Sequence, residues 1–380
     1  MTRQYQVCTR CVMDTTDPQI AFDVAGVCNH CIYFDNVTRT QWFPNEEGAR
    51  HLEQIIARIK TDGVGKPYDC ILGLSGGVDS SYLALQINRW GLRPLVMHVD
   101  AGWNSELAVR NIERIVKYCN YDLHTEVINW EDVRELQLAY LRAAISNQDV
   151  PQDHAFFASL YHFAVKNRIK YVVSGGNIST EGIFPIAWEG NAMDARNLKA
   201  INDRFGRRRL RAYPTINFLD YFVWIPFING MRTVRPLNYM PYVKADAQKV
   251  LEHTVGWRSY ERKHGESIFT KFFQNHYLPL KFGYDKRRPH LSSLIVSGQM
   301  TREEAMEQLR EPLYDAAELE ADLIYLCKKL QISRAEFDAL MALPNRHYSE
   351  YPNQERYYRL LKKVQQKIER VIQRKVNVYS

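Results

Sequence analysis

Two stretches of this 380-residue chain hold residues whose types and spacing could do chemistry. The first is Cys8-x-x-Cys11 followed, after sixteen residues, by Cys28-x-x-Cys31. A two-residue gap lets both thiolates of a knuckle reach one ion, and two knuckles complete a tetrahedron of sulfurs, the donor set of a zinc site. Four sulfurs leave no open coordination position, so the expected metal is structural. A redox pair is not expected, because no βαβ unit surrounds either knuckle. The second stretch is Ser75-Gly76-Gly77-Val78-Asp79-Ser80-Ser81, set between the apolar run Ile71-Leu72 and a helical pattern from Ser80. Two glycines let consecutive backbone N–H groups turn inward, and a helix N-terminus behind them adds partial positive charge, so a phosphate or pyrophosphate belongs here. The hydroxyls of Ser75, Ser80 and Ser81 add donors. Asp79 would repel a bare phosphate; its useful role is to hold the Mg2+ that accompanies a nucleotide. The loop is neither GxxxxGK(S/T) nor GxGxxG, which counts against a Walker NTPase and a dinucleotide dehydrogenase.

The elements that must position these residues can be read from apolar periodicity. A helix is predicted over 46–60, then strands and helices alternate: strand 69–74, helix 80–90, strand 94–99, helix 106–118, strand 123–128, helices 131–145 and 154–167, and strand 171–173, which runs into Ser174-Gly175-Gly176. Strands separated by helices of this length make βαβ units, hence an α/β fold with a doubly wound parallel sheet, and ligands beyond the carboxyl ends of its strands. The expected organisation is a zinc module over 1–45, the α/β domain over 46–242 and a helical region over 243–380 that completes the active site. The region 205–242 is aromatic-rich and shows no clear alternation. Capping boxes are expected at Thr301 with Glu304 and at Ser333 with Glu336. A last amphipathic helix is predicted over 354–376, with basic residues on its outer face.

Composition sets the remaining bounds. The chain is 46% hydrophobic and 24% charged, within the globular range. No apolar run is long enough to span a bilayer, and the opening residues MTRQYQVCTRC lack the apolar stretch of a secretion signal, so a cytoplasmic protein without a membrane span is expected. An odd number of cysteines, seven, in a reducing compartment argues for metal ligands and free thiols. The net charge of +7 is concentrated at the end: from Arg346 on, nine Lys/Arg face three Glu. That basic helix is read as a solvated face.

LSGGVDSS resembles the pyrophosphatase loop of the ATP-pyrophosphatase (adenine nucleotide alpha-hydrolase) superfamily, which includes NAD synthetase, GMP synthetase, asparagine synthetase and the tRNA thiolases. Val96-Met97-His98-Val99-Asp100 resembles its adenosine-binding edge, and Val173-Ser174-Gly175-Gly176-Asn177, followed by Glu181-Gly182, its glycine loop after the fourth strand. A closer resemblance is to the N-acetyl sugar amidotransferases of bacterial surface-polysaccharide (O-antigen) biosynthesis. It is carried by CTRCVMDTTDPQIAFDVAGVCNHC, by the SGGVDSS loop, and by YLPLKFGYDKRR over 277–288 running into His290-Leu291-Ser292-Ser293.

This resemblance implies that ATP is cleaved to AMP and pyrophosphate, that the acetamido oxygen of a sugar, as a nucleotide-linked substrate, is adenylated, and that ammonia then converts the group to an acetamidino group. It implies ATP contacts from Ser75, Gly76, Gly77, Val78, Asp79, Ser80, Ser81, Val99, Asp100, Gly175 and Gly176. Lys281, Lys286 and Arg287 are candidate partners for the charge developing on pyrophosphate, with Asp79 as the catalytic metal ligand. No glutaminase is expected in the chain: Cys70, Cys119 and Cys327 sit in DCI, YCN and LCK without glycine flanks, and position 2 is Thr. The resemblance therefore implies separate glutaminase and cyclase-like subunits as the ammonia source.

Three rival readings remain. A tRNA-modifying enzyme would need a sulfur-handling cysteine pair in the catalytic domain, which the spacing of Cys70, Cys119 and Cys327 does not provide, so nucleic acid is not an expected partner. A zinc-ribbon scaffold would have no need of Asp79. Arg204, Arg207, Arg208, Arg209 and Arg211 could clamp a diphosphate, touch RNA or simply cover a surface, and the aromatic run Tyr221, Phe222, Trp224 and Phe227 leaves a homo-oligomer open.

Overall fold

The computed structural model describes residues 4–260 and 265–372, without the side chains of 189 and 365–372. Its strands are β1 (Cys70–Gly73), β2 (Pro94–Asp100), β3 (Asp122–Val127), β4 (Tyr171–Val173) and β5 (Arg232–Val234). Because successive residues of a strand face opposite sides, a strand covered on both faces divides its side chains between two cores. Ile71, Leu95, Met97, Val99 and Val172 enter one apolar cluster, while Cys70, Leu72, Val96, Tyr171, Val173 and Val234 enter the other. The strands pair into a five-stranded parallel sheet in the order β3-β2-β1-β4-β5, with Leu72 opposite Val96 on one side and Val173 on the other.

The helices are α1 (Glu46–Asp62), α2 (Val78–Arg89), α3 (Glu106–Cys119), α4 (Trp130–Ala143), α5 (Val150–Lys166), α6 (Ala195–Phe205) and α7 (Lys244–Val255). Ile59, Leu83, Ile87, Ile112, Ile115 and Leu251 place α1, α2, α3 and α7 on one face. Val133, Leu136, Ala155, Ala158, Leu198 and Ile201 place α4, α5 and α6 on the other. The sheet is thus doubly wound, as the alternation predicts. After β1 the chain winds outward through β2 and β3, then returns to the opposite side of β1 for β4. The two windings part between β1 and β4, where the crevice of such a sheet opens.

The region 205–242, read without elements, contains three, the last a 3-10 turn over Pro236–Tyr239. Asp220–Ile228 is a π-helix with Pro226 inside it, and β5 closes the sheet edge. Three residues, only one of them an apolar aliphatic, gave β5 no periodicity to read.

Beyond α7 come α8 (Arg287–Val296), α9 (Arg302–Arg310), α10 (Ala316–Leu330), α11 (Arg334–Met341) and α12 (Glu355–Ile372). Both expected capping boxes form, at Thr301 with Glu304 and at Ser333 with Glu336. Phe269, Phe272, Leu323, Leu326 and Phe337 build a core of their own, seated on Trp103, Leu138 and Leu141. The predicted continuation of the last helix to Val376 lies outside the described residues. Among the described residues no helix is long and apolar enough to cross a membrane.

The N-terminal stretch has few regular elements, and its chain is held locally by bonds such as Cys8 N–H to Met13 O at 2.9 Å and Thr9 N–H to Gly26 O at 3.0 Å. It docks on the C-terminal helices. Arg302 Nε donates to the carbonyls of Cys8 and Cys11, both at 3.1 Å, Arg288 pairs with the buried Asp14 at 3.0 Å, and Val12 N–H donates to Ser292 Oγ at 3.2 Å.

Candidate active site

β1 ends in the centre of the sheet, and the loop after it turns into α2. Gly76 has φ +86°, a conformation that side chains disfavour, and a Cβ there would lie 2.8 Å from the carbonyl oxygen of Ala108. That turn sends its carbonyl outward, to accept from Trp257 Nε1 and from Tyr260 OH, each at 2.9 Å. Ser75 and Ser80 tie the loop together, their hydroxyls 3.2 Å apart, with Gly77 N–H donating to Ser75 Oγ at 3.3 Å. Gly77 caps α2 in an extended conformation, and no side chain there accepts the first N–H groups of the helix. An anion is the acceptor that such a terminus suits.

The loop after β4 comes up against the same helix start. A Cβ on Gly175 would stand 3.0 Å from the backbone nitrogen of Ser80, so any side chain there would push the two loops apart by a few tenths of an ångström. Between them lies a cavity of about 380 Å³, lined by Ser75, Gly77, Val78, Asp79, Ser80, Gly175 and Gly176. Its other walls are Glu181, Lys244, Gln248, Trp257, Ser259, Tyr260 and Glu266. Tyr242 OH donates to Asp79 Oδ1, and burial beside that carboxylate pushes the phenol well above its ordinary value, so it remains a donor and fixes the carboxylate. Asp79 and Glu181 therefore offer carboxylate oxygens to one cavity, a donor set of the hard-oxygen kind that Mg2+ takes.

Seven of the residues expected at the nucleotide thus share one cavity, and the others are placed differently. Gly76 shapes the turn without lining the cavity. Ser81 is fully buried. Val99 and Asp100 end the neighbouring strand β2 outside the cavity, with Asp100 accepting from Gly102 N–H at 2.7 Å. Lys281 is turned away: its ammonium donates to the carbonyls of Met341, at 2.9 Å, and Leu343, closing the end of α11. Lys286 and Arg287 line a second cavity, of about 580 Å³. Lys244, Gln248, Trp257, Tyr260 and Glu266 were not singled out from sequence, since nothing local to them marks a site.

The arginine run proves structural where it is engaged. Arg208 bonds to Glu131 and, at 3.0 Å, to the fully buried Asp132, which also accepts from the backbone of Arg211 and Ala212. Cys70, Cys119 and Cys327 are all buried, and burial pushes the Cys119 thiol up to about 11, which suits inert core thiols.

The four N-terminal cysteines do converge. All are fully buried, their sulfurs lie within 4.8 Å of one another, and Cys11 and Cys28 are 3.6 Å apart, far beyond a disulfide bond. Tetrahedral zinc thiolates sit about 3.8 Å apart, from a Zn–S bond of about 2.3 Å. The spacing suits one ion better than a cluster that takes each cysteine on a different iron. Backbone N–H groups of Arg10, Cys11 and Cys28 point at Cys8 Sγ from 3.2 to 3.4 Å. Thiol hydrogen bonds lower the Cys8 value and raise those of Cys28 and Cys31, because four sulfurs this close cannot all ionise without a cation between them.

The sheet and its crevice define a doubly wound α/β protein with a cavity at the switch point. Residues 266–365 match the family described as LPS biosynthesis protein WbpG-like, C-terminal domain. No curated protein matches the chain. Among solved structures, the chain is similar to an NMN synthetase from Francisella tularensis, at 13% identity and TM-score 0.34 over 70% of this chain and 98% of that one. It is similar to the U34-tRNA thiolase NcsA from Methanococcus maripaludis with its 4Fe–4S cluster, at 13% and 0.35 over 83% and 96%. An NH3-dependent NAD synthetase from Campylobacter jejuni subsp. jejuni NCTC 11168, in complex with the nitrate ion, is similar at 13% and 0.33 over 70% and 97%.

Proposed function

We propose that this chain is the synthetase component of an ATP-dependent amidotransferase that adenylates the N-acetyl group of a sugar and transfers ammonia to it, giving an acetamidino sugar for lipopolysaccharide biosynthesis. The carrying observation is the cavity at the β1/β4 crevice, where the start of α2 and the carboxylates of Asp79, Glu181 and Glu266 line one space. An amide oxygen leaves poorly, so it is first made part of a phosphate ester. The acetamido oxygen attacks the α-phosphorus of ATP, and the bond from that phosphorus to the β-bridging oxygen breaks. Pyrophosphate departs toward the Ser75–Ser80 loop, whose N–H and hydroxyl groups receive its charge without reorganising. Ammonia adds to the imidate carbon, AMP leaves with the former amide oxygen, and a proton is released as the amidine forms. Mg2+ held by Asp79 and Glu181 would neutralise phosphate charge. The four cysteines would hold Zn2+ as a structural ion, and with no glutaminase nucleophile recognised the ammonia comes from partner subunits.

The WbpG-like match supports the lipopolysaccharide setting. The test is AMP release with MgATP, ammonium chloride and each of a panel of nucleotide-linked acetamido sugars. ATP consumption coupled to a product one mass unit lighter, as oxygen is exchanged for NH, is the expected result. No AMP with any acetamido sugar would refute the proposal.

A further inference from the structure

One surface of the molecule is apolar where water would meet it. The π-helix Asp220–Ile228 is anchored from within by Phe222 and Ile225, both buried, Ile225 in the apolar cluster on one face of the sheet. Its turns are closed by bonds such as Asn229 N–H to Trp224 O at 3.0 Å, an i→i+5 step. Side chains four or five residues apart therefore share a side. Leu219, Val223, Trp224, Phe227 and Ile228 fall at that spacing and are 38–67% exposed. Single exposed apolar residues need no explanation, but a contiguous group of large ones marks a contact surface.

The patch has a basic neighbour. α12 starts against the same π-helix: the rings of Phe218 and Tyr357 lie 5.9 Å apart, those of Phe222 and Tyr358 5.7 Å. Arg196 adds a bond to Tyr357 OH at 3.2 Å. Over 355–364 no residue is buried. Arg356, Arg359, Lys362 and Lys363 are exposed there against the one carboxylate of Glu355, with Leu360 and Val364 exposed beside them. Arg359 meets Glu355 at 4.0 Å and Lys362 lies over the ring of Tyr358 at 4.9 Å, so four cations against one acid leave a positive surface.

The two features together select the occupant. A second copy of this chain would set these cations against their own kind. A protein partner is held by pockets that seat its anchor residues, and neither cavity is lined by any residue of the patch. A bilayer with anionic headgroups answers both parts, its acyl boundary receiving the aromatic and aliphatic side chains and its phosphates the cations. We propose that this face, the π-helix with the first turns of α12, docks on an anionic membrane surface as a peripheral contact. This does not rest on the adenylation reading.

The test is flotation of the whole chain with vesicles of phosphatidylcholine alone and of phosphatidylcholine with about 30% phosphatidylglycerol. Binding to the anionic vesicles should be at least tenfold stronger, and should weaken at least threefold when sodium chloride is raised from about 0.1 M to about 0.5 M. Trp224→Ser combined with Phe227→Ser, both at exposed positions, should lower binding to anionic vesicles about tenfold. Should that variant melt early, Lys362→Glu combined with Lys363→Glu should lower it by about as much through charge. No binding to anionic vesicles, equal binding to both kinds, or undiminished binding in a folded variant would each overturn the membrane contact. A dimer in sedimentation velocity that Trp224→Ser with Phe227→Ser dissolves would overturn it too, by giving the patch to a second copy.

Discussion

The two cavities meet at Lys244 but are built on opposite principles. The first is shaped at its floor by backbone: the left-handed Gly76 sets the turn, Gly175 is pressed on the start of α2, and the N–H groups of that helix lie behind them. The second is made of side chains delivered by separate helices and loops, with its positive charge set against buried acids. Backbone sites depend on a few residues whose absence cannot be compensated. Side-chain sites spread their energy over many contacts, so single changes should cost less there.

The contrast is tested most severely at the first cavity. Asp79→Asn keeps the shape of the side chain and its contact with Tyr242 but removes the charge that would hold Mg2+ in the proposed reaction. AMP formation should fall by at least ~100-fold with an unchanged melting temperature. Gly175→Val should also be severe, because its side chain would drive into the backbone of Ser80. ATP binding followed by calorimetry should be lost in that variant, and a wild-type isotherm would contradict the close approach of the two loops.

These differences also explain what the sequence could reveal. β1, β2 and β4 are short apolar runs close to glycines, and the SGG turn at the end of β1 is contiguous, so the strand–turn–helix around the first cavity was legible in the sequence. β5 was not, because Arg232-Thr233-Val234 carries too little pattern. Trp257 and Tyr260 brace Gly76 from more than 180 residues away, a relation that no local signal carries. Lys281 and Lys286 look alike in the run LKFGYDKRR. Gly283, at φ +73°, turns the chain between them, sending one ammonium to the end of α11 and the other into the second cavity.

A metal-site experiment should strike the second cavity harder than the first. The N-terminal module touches α8 and α9 through Arg288, Ser292 and Arg302, and α8 carries Arg287, His290, Leu291 and Leu294 into the cavity. Cys28→Ser combined with Cys31→Ser should release one equivalent of Zn2+, seen by elemental analysis, and raise hydrogen exchange in α8 and α9 about tenfold while ATP binding changes little. Full metal retention would remove the zinc assignment. Equal damage to both sites would mean that the module supports the whole fold.

The smallest expected effect, on stability alone, lies beneath the second cavity. Asp149 is buried, and loss of hydration, reinforced by the neighbouring Asp153, holds its carboxyl above the usual range against the pull of Thr270, Lys286 and Gln274. In the unfolded chain it ionises near ~3.9. Between that value and its raised folded value, the folded protein keeps a proton that the unfolded chain has released, so stability from this group falls as pH rises. Asp149→Asn retains an oxygen for the hydroxyl of Thr270, which donates at 3.0 Å, and for Gln152 Nε2 at 3.1 Å, and it cannot ionise. Lys286 loses one opposing charge and should shift further toward its neutral form, which partly offsets the gain. The variant should therefore match the wild type near pH 5 and melt on the order of 2 °C higher at pH 8, read by calorimetric scans of both proteins across that interval. Melting curves that fall in parallel would show that Asp149 ionises normally and that the charge balance under the second cavity is set by Lys286 and Asp153 alone.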